Sequence, residues 1–134
     1  MYLCQVKLWF FRDEIKQLLE SGFTVIADRY YYSGIAYSYA KGLDLEWCKS
    51  CEDGLLKPDV VFFLDISPQI AQTRGNYGQE IFENVQFQER VSNAYRILYN
   101  ENKWNEWMIF DANVSADELF ERLLKCLNQI LKEQ

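Results

Sequence analysis

An aspartate and an arginine stand side by side directly after a short apolar run. The run covers residues 23–27, and the pair is Asp28 and Arg29. A carboxylate can hold Mg²⁺ directly or through water, and an arginine can bind a phosphate through two parallel hydrogen bonds. The alternative is a structural role as a strand-end ion pair or a helix cap. The pair is therefore the first candidate for phosphate chemistry.

Three apolar runs are predicted to be strands. They are residues 23–27, 60–64 and 107–110, and the second is the strongest strand signal because it is continuous and bounded by turn residues. Segments with helical periodicity separate them, which is typical of an α/β fold with a parallel sheet covered by helices on both faces. Ligands of such folds bind beyond the carboxyl ends of the strands. Asp28-Arg29 and Asp111-Ala112-Asn113 follow two of these ends.

Five helical segments are predicted around these strands. The first ends near Ser21 with Gly22 as its stop, the second covers about 33–52, and the third begins at Ser67-Pro68. The fourth, after a loop at 74–79, presents one apolar face: Phe87, Val91, Ala94, Tyr95 and Leu98. The last follows a capping box at Ser115–Glu118 and is expected to bury Leu119, Leu123, Leu127, Ile130 and Leu131.

Composition narrows the class of protein. The 134 residues carry a net charge of −6, which argues against a nucleic-acid partner, and the chain shows no repeat or linker, so one domain is expected over 1–134. Cys48 and Cys51 form a lone C-x-x-C in a chain without histidine, so no metal-ligand set is predicted. No apolar run approaches the roughly 20 residues that span a bilayer. The N-terminus does not read as a signal peptide, so a cytoplasmic location is expected, with the nucleus as an alternative.

Several motifs, in order, resemble the eukaryotic-type thymidylate kinases. Asp28-Arg29-Tyr30 is followed by Ser33-Gly34 and Ala36-Tyr37, as in that family's D-R-[YF]-x-x-S-G-x-A-[FY] segment. Leu56–Asp59 matches the stretch before its next core strand. The lid and the helix after it are matched by Arg74-Gly75, Phe82-Glu83-Asn84 and Phe87–Arg90. The resemblance implies a P-loop nucleoside-monophosphate-kinase-like parallel sheet flanked by helices. The implied reaction is phosphorylation of dTMP to dTDP, with ATP as co-substrate and Mg²⁺.

The resemblance also implies roles for individual residues. Arg29 would bind the phosphate of dTMP, and Asp28 would act near the metal. The other residues with implied roles are Tyr37, Phe82 and Gln88 for dTMP, Arg74 for catalysis at the entrance of the lid, and Asn113 and Val114 near adenine. A purely structural role is the alternative for several of them. Tyr37 could be a core aromatic, Gln88 a surface residue, and Arg74 a favourable charge at a helix end.

One family feature does not occur in the sequence. None of the six glycines begins the G-x-x-x-x-G-K-[ST] pattern, whose backbone cradles phosphates and whose hydroxyl holds Mg²⁺. The resemblance then implies an N-terminally truncated domain without the first strand, this loop and the second strand. We expect the 134-residue chain alone to be inactive, and its apolar strands to lack a neighbour. The resemblance places Cys4 and Leu8 at the positions that read the base in that family, which leaves base specificity open.

Three hypotheses result. The first is a thymidylate kinase whose sequence is given incompletely by these 134 residues. The second is a non-catalytic pseudo-kinase that acts as a dimerisation or dTMP-binding subunit, since the family is expected to form homodimers. The third, an unrelated nucleoside-phosphate kinase, is disfavoured by Asp28-Arg29-Tyr30 with Ser33-Gly34.

Overall fold

A computed structural model describes residues 2–74, 85–101 and 107–133 of the chain. Within these ranges, none of the helices is both long and apolar enough to cross a membrane. The elements are, in chain order, α1 (Tyr2–Glu20), α2 (Tyr31–Ala40), α3 (Leu45–Ser50), β1 (Val61–Asp65), α4 (Pro68–Ala71), α5 (Val85–Glu101), β2 (Trp107–Asp111) and α6 (Ala116–Glu133).

The two described strands form a parallel pair. β1 and β2 run in register from Val61 opposite Trp107 to Asp65 opposite Asp111. Both strands were predicted, and each bound differs from the prediction by at most one residue. The connection between them contains α4 and α5, as expected for parallel neighbours joined by a helical crossover. Because both strands end at an aspartate, Asp65 and Asp111 lie side by side at the edge of the sheet where ligands of such folds bind.

The prediction of a buried strand over residues 23–27 was wrong. The segment is not part of the described sheet, and the side chains of Phe23 and Ile26 are 61% and 77% exposed. A strand is stabilised by hydrogen bonds to a neighbour, so an apolar, β-branched composition alone does not make one. Among the described residues β1 and β2 pair with each other, and none lies beside 23–27 as a strand.

Local signals set the helix ends. α1 ends in a Schellman motif: Gly22 has φ +82, its N–H donates to Leu19 O at 2.9 Å, and Phe23 N–H donates to Leu18 O at 3.0 Å. This confirms the predicted stop. The prediction of a single helix over residues 33–52 was wrong. The chain divides there into α2 and α3, because Gly42 between them adopts φ +94.

The core lies between α2 and α5, with α3 and the sheet packed against it. The predicted apolar face of α5 is confirmed: Phe87, Val91, Ala94 and Leu98 are buried and Tyr95 is partly buried. From the other elements, the core receives Tyr31, Tyr32, Ile35, Ala36, Cys48, Leu55 and Trp107. This packing fixes α2, the helix that follows Asp28-Arg29.

α6 begins as predicted but buries less than predicted. The Glu118 N–H donates to Ser115 Oγ at 3.2 Å, which is half of the expected capping box. The expected burial was wrong: Leu119, Leu123, Leu127 and Ile130 are only partly buried, and Leu131 is 42% exposed. Phe120 is 63% exposed as well. The described residues therefore cover only part of the apolar surface of this helix.

Candidate functional site

Arg29 is held by α2 at the point where the chain turns into that helix. Its backbone has φ +63, the left-handed conformation that residues other than glycine seldom adopt. Its Nε–H donates to Ser33 Oγ at 3.0 Å, and its guanidinium carbon lies 4.3 Å from the centroid of the Tyr37 ring. A strained backbone is a common mark of a functional position. Because the Nε–H of Arg29 donates to Ser33, the two terminal amino groups of the guanidinium supply the hydrogen-bond donors for a phosphate.

Tyr37 connects Arg29 to a cleft. Its ring meets the Phe87 ring edge to face with centroids 5.9 Å apart, and the guanidinium of Arg90 lies 5.5 Å from the Phe87 centroid. Tyr37 is partly buried and therefore has both a packing contact and a surface toward the site. The packing alternative for Tyr37 and the binding role are compatible, because its ring contacts Phe87 and Arg29 together.

The cleft has a volume of about 160 Å³ and lies between α2, α4, α5 and the end of β1. Its lining includes two residues predicted to bind dTMP, Tyr37 and Gln88, together with Phe63, Asp65 and Tyr95. Complete small-molecule pockets are usually about 300–1,000 Å³. The cleft is smaller than this range, and its lining combines aromatic walls with a few polar groups.

Tyr95 is a partly buried residue of this cleft with a polar hydroxyl. Burial raises the pKa of its hydroxyl above the ordinary 10.0, while a hydrogen bond with Ser33 and the charge of Arg29 act in the opposite direction. Its ring lies 5.1 Å from that of Phe63 and 6.4 Å from that of Trp107, measured between centroids.

A buried carboxylate lies against the start of α2. The Glu52 side chain is fully buried, and a Cβ added at Gly34 would lie 2.6 Å from Glu52 Oε1. The pKa of the Tyr30 hydroxyl is raised by burial and further by the charge of Glu52. The glycine after Ser33 is therefore required for space, since it lets the backbone of α2 approach this carboxylate.

Asp28 lies on the exposed surface beside Arg29. Within the described ranges, no group of three or more acidic, cysteine or histidine side chains could hold a metal ion. Mg²⁺ in phosphate-transfer sites is often held by one or two carboxylates, with the remaining ligands from water and phosphate oxygens. A single exposed carboxylate fits that donor set.

Arg74 is bonded to the loop that follows β2. Its Nη1 donates to Ala112 O at 2.7 Å and its Nη2 donates to Val114 O at 3.2 Å. The Asn113 N–H donates to Asp111 Oδ1 at 2.8 Å and so fixes the same loop. The structure therefore brings together Arg74, Asn113 and Val114, which were predicted for different roles. The catalytic role of Arg74 stays a prediction.

Phe82 lies outside the described residues. Of the other predicted residues, Arg29, Tyr37 and Gln88 gather around the cleft, and Arg74, Asn113 and Val114 gather at the end of β2. Sequence reasoning gave no role to Ser33, Glu52 or Tyr95. The signals for Ser33 were its place in the family motif and its position four residues after Arg29. Tertiary packing brings Glu52 to the start of α2 and Tyr95 to the cleft.

The architecture is that of an α/β protein with a parallel strand pair, and its candidate site combines an arginine at a turn before a helix with loops that follow the parallel strands. The family model described as thymidylate kinase matches residues 1–123. Thymidylate kinases of Dictyostelium discoideum and Arabidopsis thaliana are 40% and 43% identical to this chain over 125 residues, which cover 93% of it in each case. The chain belongs to the thymidylate kinase family.

A solved structure supports the same assignment. The thymidylate kinase of Candida albicans superposes with a TM-score of 0.85 at 28% identity, and the match covers 97% of this chain and 65% of that one. The expected kinase-like fold class and the resemblance are confirmed. The two curated relatives are covered over 55% and 46% of their own length, so the chain spans about half of each.

Proposed function

We propose that this chain carries the acceptor side of an enzyme that phosphorylates dTMP to dTDP with ATP, a step in dTTP synthesis. The observation that carries the proposal is that the side chain of Arg29 is held in place by contacts with α2. Its Nε–H is bonded to Ser33 and its guanidinium stacks on Tyr37, which supports a role in binding the dTMP phosphate. Membership of the thymidylate kinase family supports this choice of substrate.

The cleft beside Arg29 supports a place for the remainder of dTMP. Tyr37 offers an aromatic surface, and Gln88 offers an amide that can both donate and accept hydrogen bonds. An aromatic wall with one amide suits a pyrimidine nucleoside, which has a flat ring with polar edges. Phe82 of the lid would close over the sugar.

ATP is proposed to bind on the side of the β2 loop. Arg74 holds the carbonyls of that loop, and Asn113 and Val114 would lie near adenine. Mg²⁺, held through Asp28, would neutralise charge on the transferred phosphate group. Asp28 would orient it from the end of 23–27, and Arg29 would hold the acceptor phosphate in line.

Turnover is proposed to need a phosphate-binding loop that the 134 residues do not contain. Phosphoryl transfer depends almost entirely on positioning and charge stabilisation, and that loop provides both for the donor. We therefore propose that this polypeptide is part of one domain and does not turn over by itself. A homodimer and a cytoplasmic or nuclear location are also proposed. No observation on the described residues favours a purely non-catalytic subunit.

Calorimetric titration of the 134-residue chain with dTMP tests the acceptor site. We expect measurable binding in the unaltered chain, a loss of at least about tenfold in Arg29→Ala, and partial retention in Arg29→Lys, which keeps the charge but not the bidentate geometry. The matched control is Arg122→Ala, because Arg122 is a cation of α6 paired with Glu118. Equal dTMP affinity in Arg29→Ala and the unaltered chain would contradict the proposal.

A parallel assay of ATP-dependent conversion of dTMP to dTDP tests the catalytic part. We expect no turnover above background from this polypeptide, and turnover at ordinary kinase rates would overturn the role given to the missing loop.

A further inference from the structure

We propose that Glu52 is a positioning residue, which fixes the first turn of α2 and thereby the orientation in which Arg29 meets the acceptor phosphate. The inference rests on the proposed function, since it concerns how the same phosphate is bound. Glu52 follows α3 and lies about 20 residues after Arg29 in the chain, so tertiary packing brings it to the start of α2.

The start of α2 has no local cap. Within the described part of this helix, Tyr30 occupies the N-cap position without a side-chain cap bond, and the first turn contains no acidic residue. The N–H groups of Ser33 and Gly34 donate to Tyr30 O at 3.0 and 3.4 Å. The N–H groups that precede them point out of the helix end. Because Tyr31 and Tyr32 are buried, those groups need an acceptor from another part of the chain.

A carboxylate from outside α2 lies at this helix start. Glu52 is completely buried, and its Oε1 is 2.6 Å from the point at which a Cβ of Gly34 would stand. The Cα–Cβ bond of a helical residue is tilted toward the helix N-terminus, so this oxygen lies over the first turn of α2. A negative charge is favourable there because the N-terminal end of a helix is positive. Glu52 therefore supplies the cap that the sequence of α2 does not.

The backbone holds Glu52 on both sides. Its N–H donates to Lys49 O at 2.9 Å, and its carbonyl accepts from the Leu55 N–H at 3.1 Å. Leu55 and Cys48 are buried in the core, which anchors this turn to the body of the protein. The carboxylate is thus attached to the core, and not to the segment that carries Arg29.

A fixed start of α2 determines where Arg29 points. Arg29 has φ +63 and precedes the N-cap residue, and its Nε–H donates to Ser33 Oγ in the first turn of the helix. Two parallel hydrogen bonds to a phosphate require one orientation of the guanidinium, and a side chain ordered in advance avoids an entropic cost on binding. Removal of the charge at Glu52 should loosen the first turn and so weaken phosphate binding.

Glu52→Gln is the decisive variant, because it removes the charge and keeps the shape of the side chain. We expect the dissociation constant of dTMP, measured by calorimetry on the 134-residue chain, to rise about 2–10-fold, the range of one net hydrogen bond. Asp53→Asn is the matched control, since Asp53 is the next acid in the chain and is exposed. It should leave dTMP affinity unchanged.

Circular dichroism shows whether each variant is folded. Should Glu52→Gln fail to fold, Glu52→Asp takes its place, because it keeps the carboxylate but withdraws it by one methylene, and the same rise is expected. Loss of the fold in both variants would overturn the inference, since Glu52 would then act in the core as a whole.

A double-mutant cycle separates positioning from general stability. In an Arg29→Ala background, which lacks the side chain to be positioned, Glu52→Gln should change dTMP affinity by less than about 1.5-fold. Equal losses from Glu52→Gln with and without Arg29 would overturn the inference, as would unchanged affinity in Glu52→Gln. If Arg29→Ala weakens dTMP binding while Glu52→Gln does not, the proposed function stands and this inference fails. If the unaltered chain shows no dTMP binding, both fail.

Discussion

The guanidinium carbon of Arg29 lies 4.3 Å from the centre of the Tyr37 ring. Ser33, which accepts from Arg29 Nε–H, precedes Tyr37 by four residues, so one face of α2 carries both partners. An arginine at a strained turn is thus held by a hydroxyl one turn before an aromatic ring. This spacing lets one face of α2 support the side chain that is proposed to bind the phosphate.

Tyr37→Leu should weaken dTMP binding by about 2–5-fold, because a cation–π contact at a partly exposed position is worth roughly 0.5–1 kcal/mol. Tyr37→Phe retains the ring face and should stay within about twofold of the unaltered chain. Calorimetric titration measures both. An equal loss in the two variants would show that the hydroxyl of Tyr37, and not its ring, supports binding.

Gly34→Ala should destabilise the fold by about 1–3 kcal/mol, because the new Cβ would lie 2.6 Å from Glu52 Oε1. The sign is diagnostic, since replacing glycine by alanine in a helix normally stabilises by roughly 0.5–1 kcal/mol. Urea unfolding followed by circular dichroism gives the free energy. Ser38→Ala, on the same helix, is the control for helix propensity, and a stabilised Gly34→Ala variant would contradict the predicted clash.

Ser115→Ala should cost about 0.5–2 kcal/mol, because it removes the oxygen that accepts from the Glu118 N–H at the start of α6. Ser115→Asp keeps an acceptor and adds a charge that is favourable at a helix N-terminus, so it should retain most of the stability. Thermal unfolding compares the two. If both variants lose the same stability, the cap does not contribute as the structure indicates.

The stability of the chain should fall above about pH 10. Burial, the largest cause in each case, raises the pKa values of the hydroxyls of Tyr30, Tyr31 and Tyr95 above the ordinary 10.0. A folded-state pKa above the unfolded value means that the folded chain keeps its protons longer, so this contribution is complete below pH 10 and is lost as the pH rises through the folded values. Urea unfolding at pH 9 and pH 11 measures the loss.

The variant Tyr95→Phe removes one of the three groups and should show a smaller loss between these pH values. An unchanged pH dependence would show that Tyr95 ionises at its unfolded pKa in the folded chain.

Alkylation should distinguish the cysteines of the C-x-x-C pair. Cys48 is buried, and burial followed by the nearby Cys51 raises the pKa of its thiol, so little reactive thiolate forms. Cys51 is only partly buried. With iodoacetamide at pH 8, peptide mapping should show Cys51 modified well before Cys48, and equal modification in urea. Cys51→Ser should leave Cys48 protected, whereas fast labelling of Cys48 in the native chain would contradict its burial.

Features decided by a few neighbouring residues could be predicted from the sequence. The stop of α1 at Gly22 and the cap at Ser115 depend on local hydrogen bonds, and both are found where expected. The face of α5 could also be predicted because its periodicity reflects one core contact. The break at Gly42 was missed, since an isolated glycine in a mixed segment does not by itself end a helix.

Features that depend on a distant partner could not be predicted in this way. The strand assigned to 23–27 needed a neighbour, and no pattern within five residues states whether one is present. The contacts of Arg74 with Ala112 and Val114 cross about 40 residues of chain. Tyr95 was predicted only as part of the apolar face of α5, because its place in the lining of the cleft depends on how α5 packs against the rest of the chain.

The mostly exposed segment at 23–27 also affects the thermodynamics of ligand binding. Arg29 is anchored on its C-terminal side by α2, whereas the residues before it have no strand beside them within the described part of the chain. Ordering a backbone residue costs roughly 1–2 kcal/mol in entropy. A partner that pairs with 23–27 would bear that cost before the nucleotide arrives, so it would tighten dTMP binding without contacting dTMP.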